Sequence, residues 1–145
     1  MRLQLLLMQL LLLVFPGMEA GTSCRLADWV VEDSSGKVEI TCIGDTMDIV
    51  SPDGLSLWYK ERLTGDYEIT YRVQVVIENG RYDRLSDLNC FWGAGDPRHP
   101  DDFFARSTWR NGEFKNYNTL SLYYVGYGGN ENGTTRFREY HGEYY

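Results

Sequence analysis

The segment Thr134–Tyr140, TTRFREY, places two arginines two residues apart. If it is a strand, alternation puts Thr134, Arg136, Arg138 and Tyr140 on one face and Thr135, Phe137 and Glu139 on the other. Two guanidiniums side by side repel each other, so they need either bulk solvent or an anion between them. Candidate neighbours come from Ser86–Trp92, where Asp87, Asn89 and Phe91 share a face opposite Leu88, Cys90 and Trp92. A third run, Thr119–Tyr127, sets Ser121, Tyr123, Val125 and Tyr127 against Leu120, Leu122, Tyr124 and Gly126. Laid together, the polar faces would form one surface of Asp87, Asn89, Tyr123, Arg136 and Arg138. That set suits a sugar, whose hydroxyls seek Asp, Asn and Arg while its C–H faces seek an aromatic ring. Arginine also grips carboxylates through two parallel hydrogen bonds, which would favour a uronic acid unit. The competing reading is a solvated face crossed by ion pairs such as Asp87 with Arg136, each worth about 0–1 kcal/mol.

Two reactions would fit such a surface. β-Elimination on a uronate needs a cation on the carboxylate, a base for the C5 proton and an acid for the leaving oxygen. Arg136 or Arg138 would serve the first role and Tyr123 or His99 the others. Glycoside hydrolysis needs two facing carboxylates about 5–10 Å apart. No strand carries such a pair; Glu139 and Glu143 have a suitable spacing but straddle a strand end. The residues therefore assign no catalytic set. Acidic loops around Asp45, Asp48 and Asp53, and around Asp96, Asp101 and Asp102, raise the question of a structural calcium. Neither follows the EF-hand order, and turn chemistry accounts for these residues. No CxxC or Cys/His cluster is present, so no zinc site is expected.

The elements that must position these residues begin after a leader. Met1–Phe15 has one basic residue and then an apolar run too short for an ordinary spanning helix, and small residues follow. Residues 1–23 read as a secretory signal. The "GTSC" at 21–24 offers a second reading, a lipoprotein signal with Cys24 as the lipidated residue and a membrane attachment point. The expected localisation is secreted, periplasmic or lipid-anchored at the surface. With Cys24 lipidated, Cys42 and Cys90 would remain, either bridged or as thiols. The net charge is −7 and stays so without residues 1–23, which argues against nucleic acid as partner. Eleven tyrosines and four tryptophans suit a wet binding surface and equally an aromatic-rich all-β core.

Residues 24–145 read as one β domain. Strands are expected at 37–43, 46–50, 55–63, 67–77, 86–92, 119–127 and 134–140, separated by turn signals such as "SPDG" and "GGNENG". A long polar loop spans 93–104, and no window has a helical period. This pattern argues an all-β sandwich or jelly roll of antiparallel sheets. The chain stops just after a strand with edges still to be paired, so the domain is expected to be truncated at its C-terminus.

"SDLNCFWGAGDPRHPDDFFAR" and "YNTLSLYYVGYGGNENGTTRFREY" resemble an uncharacterised bacterial family of domains of unknown function in the concanavalin A-like lectin/glucanase superfamily. "ADWVVE" followed by "LWYKERLTGDYEITYRVQV" resembles its opening strands. The resemblance implies an exported protein of polysaccharide-degrading systems, often pectin-type, on a two-sheet jelly roll whose concave face takes carbohydrate. It supplies no catalytic set. The expected function is therefore carbohydrate binding, with a lyase or hydrolase on the same fold, or a non-catalytic surface protein, as alternatives. The expected partner is a polysaccharide or oligosaccharide.

Overall fold

The computed structural model describes residues 2–9, 23–85 and 88–142. Nine strands dominate: β1 Arg2–Gln9, β2 Trp29–Asp33, β3 Glu39–Ile43, β4 Thr46–Val50, β5 Leu55–Tyr59, β6 Thr70–Val76, β7 Leu88–Gly95, β8 Ser121–Gly128 and β9 Thr134–His141. All pairings among the described residues are antiparallel, as expected for a sandwich of antiparallel sheets. They form a four-stranded sheet β3–β4–β1–β6, a pair β2–β5 and a three-stranded sheet β7–β8–β9.

Local chemistry accounts for most of the strands. Ile43 pairs with Thr46 across a two-residue turn, which Gly44 permits by adopting φ +63°. β3, β5, β6, β7 and β8 are shorter or shifted relative to the sequence pattern. β5 ends at Tyr59 rather than 63 because its partner β2 begins at Trp29, opposite Tyr59. A strand persists only where a neighbour satisfies its backbone groups. β6 likewise pairs only over Thr70–Val76. β7 runs on to Gly95 through an irregularity after Trp92.

The basic start and part of the apolar run of the expected leader, Arg2–Gln9, run as β1 between β4 and β6. The rest of that expected leader up to residue 22 lies outside the described residues.

The sheets stack in two layers. Met47 and Ile49 of β4 are buried against Trp29, Leu55 and Leu57, which seats the four-stranded sheet over β2–β5. Tyr71 of β6 and Cys90 of β7 lie beside each other on the wall of one groove, which seats the same sheet over β7. On the far side, Trp58, Tyr117, Leu120, Leu122 and Tyr124 form a second core. There Trp58 of β5 stacks on Phe91 of β7 at 5.4 Å.

A polar knot pins the second core. Glu32 is 2% exposed and Arg110 fully buried, joined at 2.8 Å. The Ser107 hydroxyl donates to Glu32 at 2.8 Å and the Tyr117 hydroxyl at 2.9 Å. Arg110 also donates to the Phe103 carbonyl at 3.0 Å. The segment from Phe103 to Thr119, built of short 3-10 turns and the four-residue α1 Ser107–Arg110, is thereby tied to β2.

The fold pairs two of the three cysteines. Cys24 is bridged to Cys42, with their Cα atoms 5.4 Å apart, and Cys90 is the free thiol. The bridge engages the Cys24 sulfur, the atom a lipid thioether would need. Cys42 has its partner in Cys24 rather than Cys90.

Candidate functional site

The β8–β9 register answers what Arg136 and Arg138 face. Arg138 lies opposite Tyr124, which lies opposite Phe91; Arg136 lies opposite Gly126, which lies opposite Asn89. These six positions form a grid of two rows across three strands, about 10 Å by 7 Å from strand spacing and rise. The Tyr124 side chain leans from its own row across Gly126 and donates to Asn89 Oδ1 at 3.0 Å. Only a glycine allows this, because a Cβ at residue 126 would overlap the Tyr124 hydroxyl and sit 3.0 Å from Asn89 Oδ1. The Arg138 guanidinium lies 5.8 Å from the Tyr124 ring centroid. A cation in that position is drawn to the ring's negative face.

Beside the grid, Phe114 projects from the pinned segment, 39% exposed and 5.5 Å from the Tyr124 ring. Asn89, Arg136 and Arg138 are exposed, and neither arginine makes an ion pair among the described residues. The grid opens into a groove of about 1060 Å³ whose other walls include Trp58, Tyr67, Tyr71 and His99. The lining thus includes an amide, two cations without an ion pair among the described residues, and aromatic rings.

The sequence-derived surface is therefore reached in part. Asn89, Arg136 and Arg138 come together on one face. Tyr123 does not join them. It pairs with Trp92 and Glu139 on the opposite face, where it stacks with Trp92 and Phe137. Tyr124 takes its position in the grid but is buried, 4% exposed, so the exposed ring beside the arginines is Phe114. Asp87 lies outside the described residues, and with it the proposed ion pair to Arg136. His99 lines the groove, while His141 is the exposed last residue of β9. Sequence reasoning missed Tyr124, Gly126 and Phe114. The polarity of Ser121 selected the wrong parity for β8, whereas the aromatic at 124 and the glycine at 126 marked the right one.

Buried groups near the groove are held neutral. Burial pushes the Cys90 thiol above its ordinary value, against a smaller lowering by the Tyr71 hydrogen bond. Burial, then the neighbouring Cys90 sulfur, raises Tyr71. Tyr117 is raised furthest, chiefly by burial. Among the described residues no three His, Cys, Asp or Glu side chains converge as metal ligands would.

Fold and site together define an antiparallel all-β protein carrying an open groove with cationic and aromatic walls. Residues 49–145 match a family described as a domain of unknown function, DUF6250, and the chain belongs to it. No curated protein and no solved structure matches the chain.

Proposed function

We propose that this protein is an exported carbohydrate-binding sandwich of the concanavalin A-like jelly-roll type, acting in bacterial polysaccharide breakdown, and that the Asn89–Tyr124–Arg136–Arg138 grid holds the sugar. The observation that carries this reading is the placement of Arg136 and Arg138, which make no ion pair among the described residues, beside an amide and aromatic rings in an open groove. A sugar carboxylate would lie between the arginines, its hydroxyls against Asn89, and its apolar face on the Phe114 edge. The two-layer stacking of antiparallel sheets supports the jelly-roll assignment. The Cys24–Cys42 bridge supports export, because disulfides persist in oxidising compartments.

Binding of the full chain to immobilised acidic and neutral polysaccharides tests the reading. Uronate polymers are expected to bind more tightly than neutral ones, with affinity falling as salt rises. Arg136→Ala and Arg138→Ala are each expected to lower affinity about 10–100-fold, the value of a charge-assisted hydrogen bond. Unchanged binding in both variants would remove the grid from the site. Growing ultraviolet absorbance on incubation with a uronate polymer would instead mark the unsaturated product of a lyase.

A further inference from the structure

The charged residues along β7 are sorted by position. Arg136 and Arg138 stand in the rows of Asn89 and Phe91, near the start of the strand. β7 then runs to Gly95, opposite Ser121 and, through it, His141. Immediately beyond, Asp96, Asp101 and Asp102 line the groove, whereas Arg98 of the same loop does not. The strand rise carries about 15 Å from Phe91 to Asp96. The groove is therefore cationic toward one end of β7 and anionic toward the other.

The acidic end is a folded turn. His99 N–H donates to the Asp96 carbonyl at 3.0 Å, and Asp102 N–H to the His99 carbonyl at 3.1 Å. Asp102 Oδ1 accepts from Phe104 N–H at 3.0 Å. Asp101 and Asp102 are exposed, and neither makes an ion pair among the described residues. An aromatic floor joins the two ends: Phe91 lies 5.4 Å from Trp58, Trp58 lies 4.9 Å from Phe103, and Phe103 lies 5.1 Å from Phe104. On the wall after β5, Lys60, Glu61 and Arg62 mix both signs, and Lys60 Nζ donates to the Ala27 carbonyl at 2.6 Å. Among the described residues β1 pairs with β4 and β6, so none of these parts is a strand neighbour of β1.

A run of uronates laid along this floor would set one carboxylate on the arginines and later ones against Asp101 and Asp102. Like charges closer than the Debye length, about 8 Å at physiological salt, repel. An uncharged sugar meets no such penalty. Its hydroxyls donate to the two carboxylates, and its C–H face lies on Phe103 or Phe104. We infer that the groove reads where along a glycan the charge lies. It takes an oligosaccharide with one uronate on Arg136 and Arg138 and uncharged units over Phe103 toward Asp101 and Asp102, and it discriminates against an unbroken run of uronates. This selectivity rests on the grid holding a sugar, as proposed above, and narrows the class of sugar.

Calorimetric titration of the full chain with three tetragalacturonates tests it. One is fully acidic; the other two keep a single free carboxylate, at one chain end or the other, with the rest methyl-esterified. One mono-acid is expected to bind at least about fivefold tighter than the fully acidic tetramer, a gap that closes as salt rises. Asp101→Asn combined with Asp102→Asn is expected to tighten the fully acidic tetramer at least about threefold without tightening the mono-acids. If circular dichroism shows that variant unfolded, the wild-type comparison and its salt dependence decide. A fully acidic tetramer bound as tightly as both mono-acids, or a gap unchanged in the folded double variant, would overturn the selectivity and leave the sugar site standing. Saturation by none of the three at millimolar concentration would overturn both.

Discussion

Tyr124 reaches Asn89 because residue 126 has no side chain. Gly126→Ala inserts a methyl group where the phenol oxygen lies, and overpacking of this kind costs about 1–3 kcal/mol. Tyr124→Phe forfeits one hydrogen bond, about 1 kcal/mol. Because the added methyl meets that same hydroxyl, the double variant is expected to lose less than the two single losses added together. Denaturant unfolding of the four proteins checks this; strict additivity would show that the two residues do not collide. At this scale alternation correctly joined Arg136 to Arg138 and set Asn89 opposite Cys90. It could not say which parity of β8 would face them. That depends on register with β7, and 25 residues, 96–120, separate those strands in sequence.

The elements that frame the groove are held by a charge pair that no local pattern announces. Glu32 sits in "WVVED", where it reads as an ordinary outward-facing acid, and Arg110 lies in a four-residue helix. Their meeting fixes the segment that carries Phe114 and Tyr117, so it positions the site without touching a ligand. Removing one partner leaves a buried charge alone. Glu32→Ala or Arg110→Ala is expected to cost about 3–5 kcal/mol, read as a fall in denaturant midpoint. Glu32→Leu with Arg110→Met is expected to recover most of that loss, since an apolar pair needs no solvation. A double variant no better than the singles would show that the surrounding hydroxyls of Ser107 and Tyr117, rather than the charges, dominate the knot.

For the molecule as a whole, the Cys24–Cys42 bridge ties the segment before β2 to β3. The cysteines are 18 residues apart in sequence, so closing that loop restricts the unfolded chain by about 3 kcal/mol. Reduction is expected to lower stability by about that amount, measured by urea unfolding with and without dithiothreitol. In the oxidised protein, Cys90 is expected to resist iodoacetamide until the chain unfolds, because burial keeps it as the protonated thiol. Rapid alkylation of the native protein would contradict the packing of β6 on β7.

The sequence by itself determined that this is an antiparallel β protein, and it placed most of the strands near their observed positions. Alternation and turn residues are local properties, and they act whatever the rest of the chain does. Tertiary structure decided what lies across from what: Tyr124 rather than Tyr123 beside the arginines, Cys24 rather than Cys90 opposite Cys42, and Arg110 against Glu32. Each of those meetings joins residues from different elements. Register and sheet stacking are set by how the whole apolar surface is buried, a sum that no single stretch of chain contains.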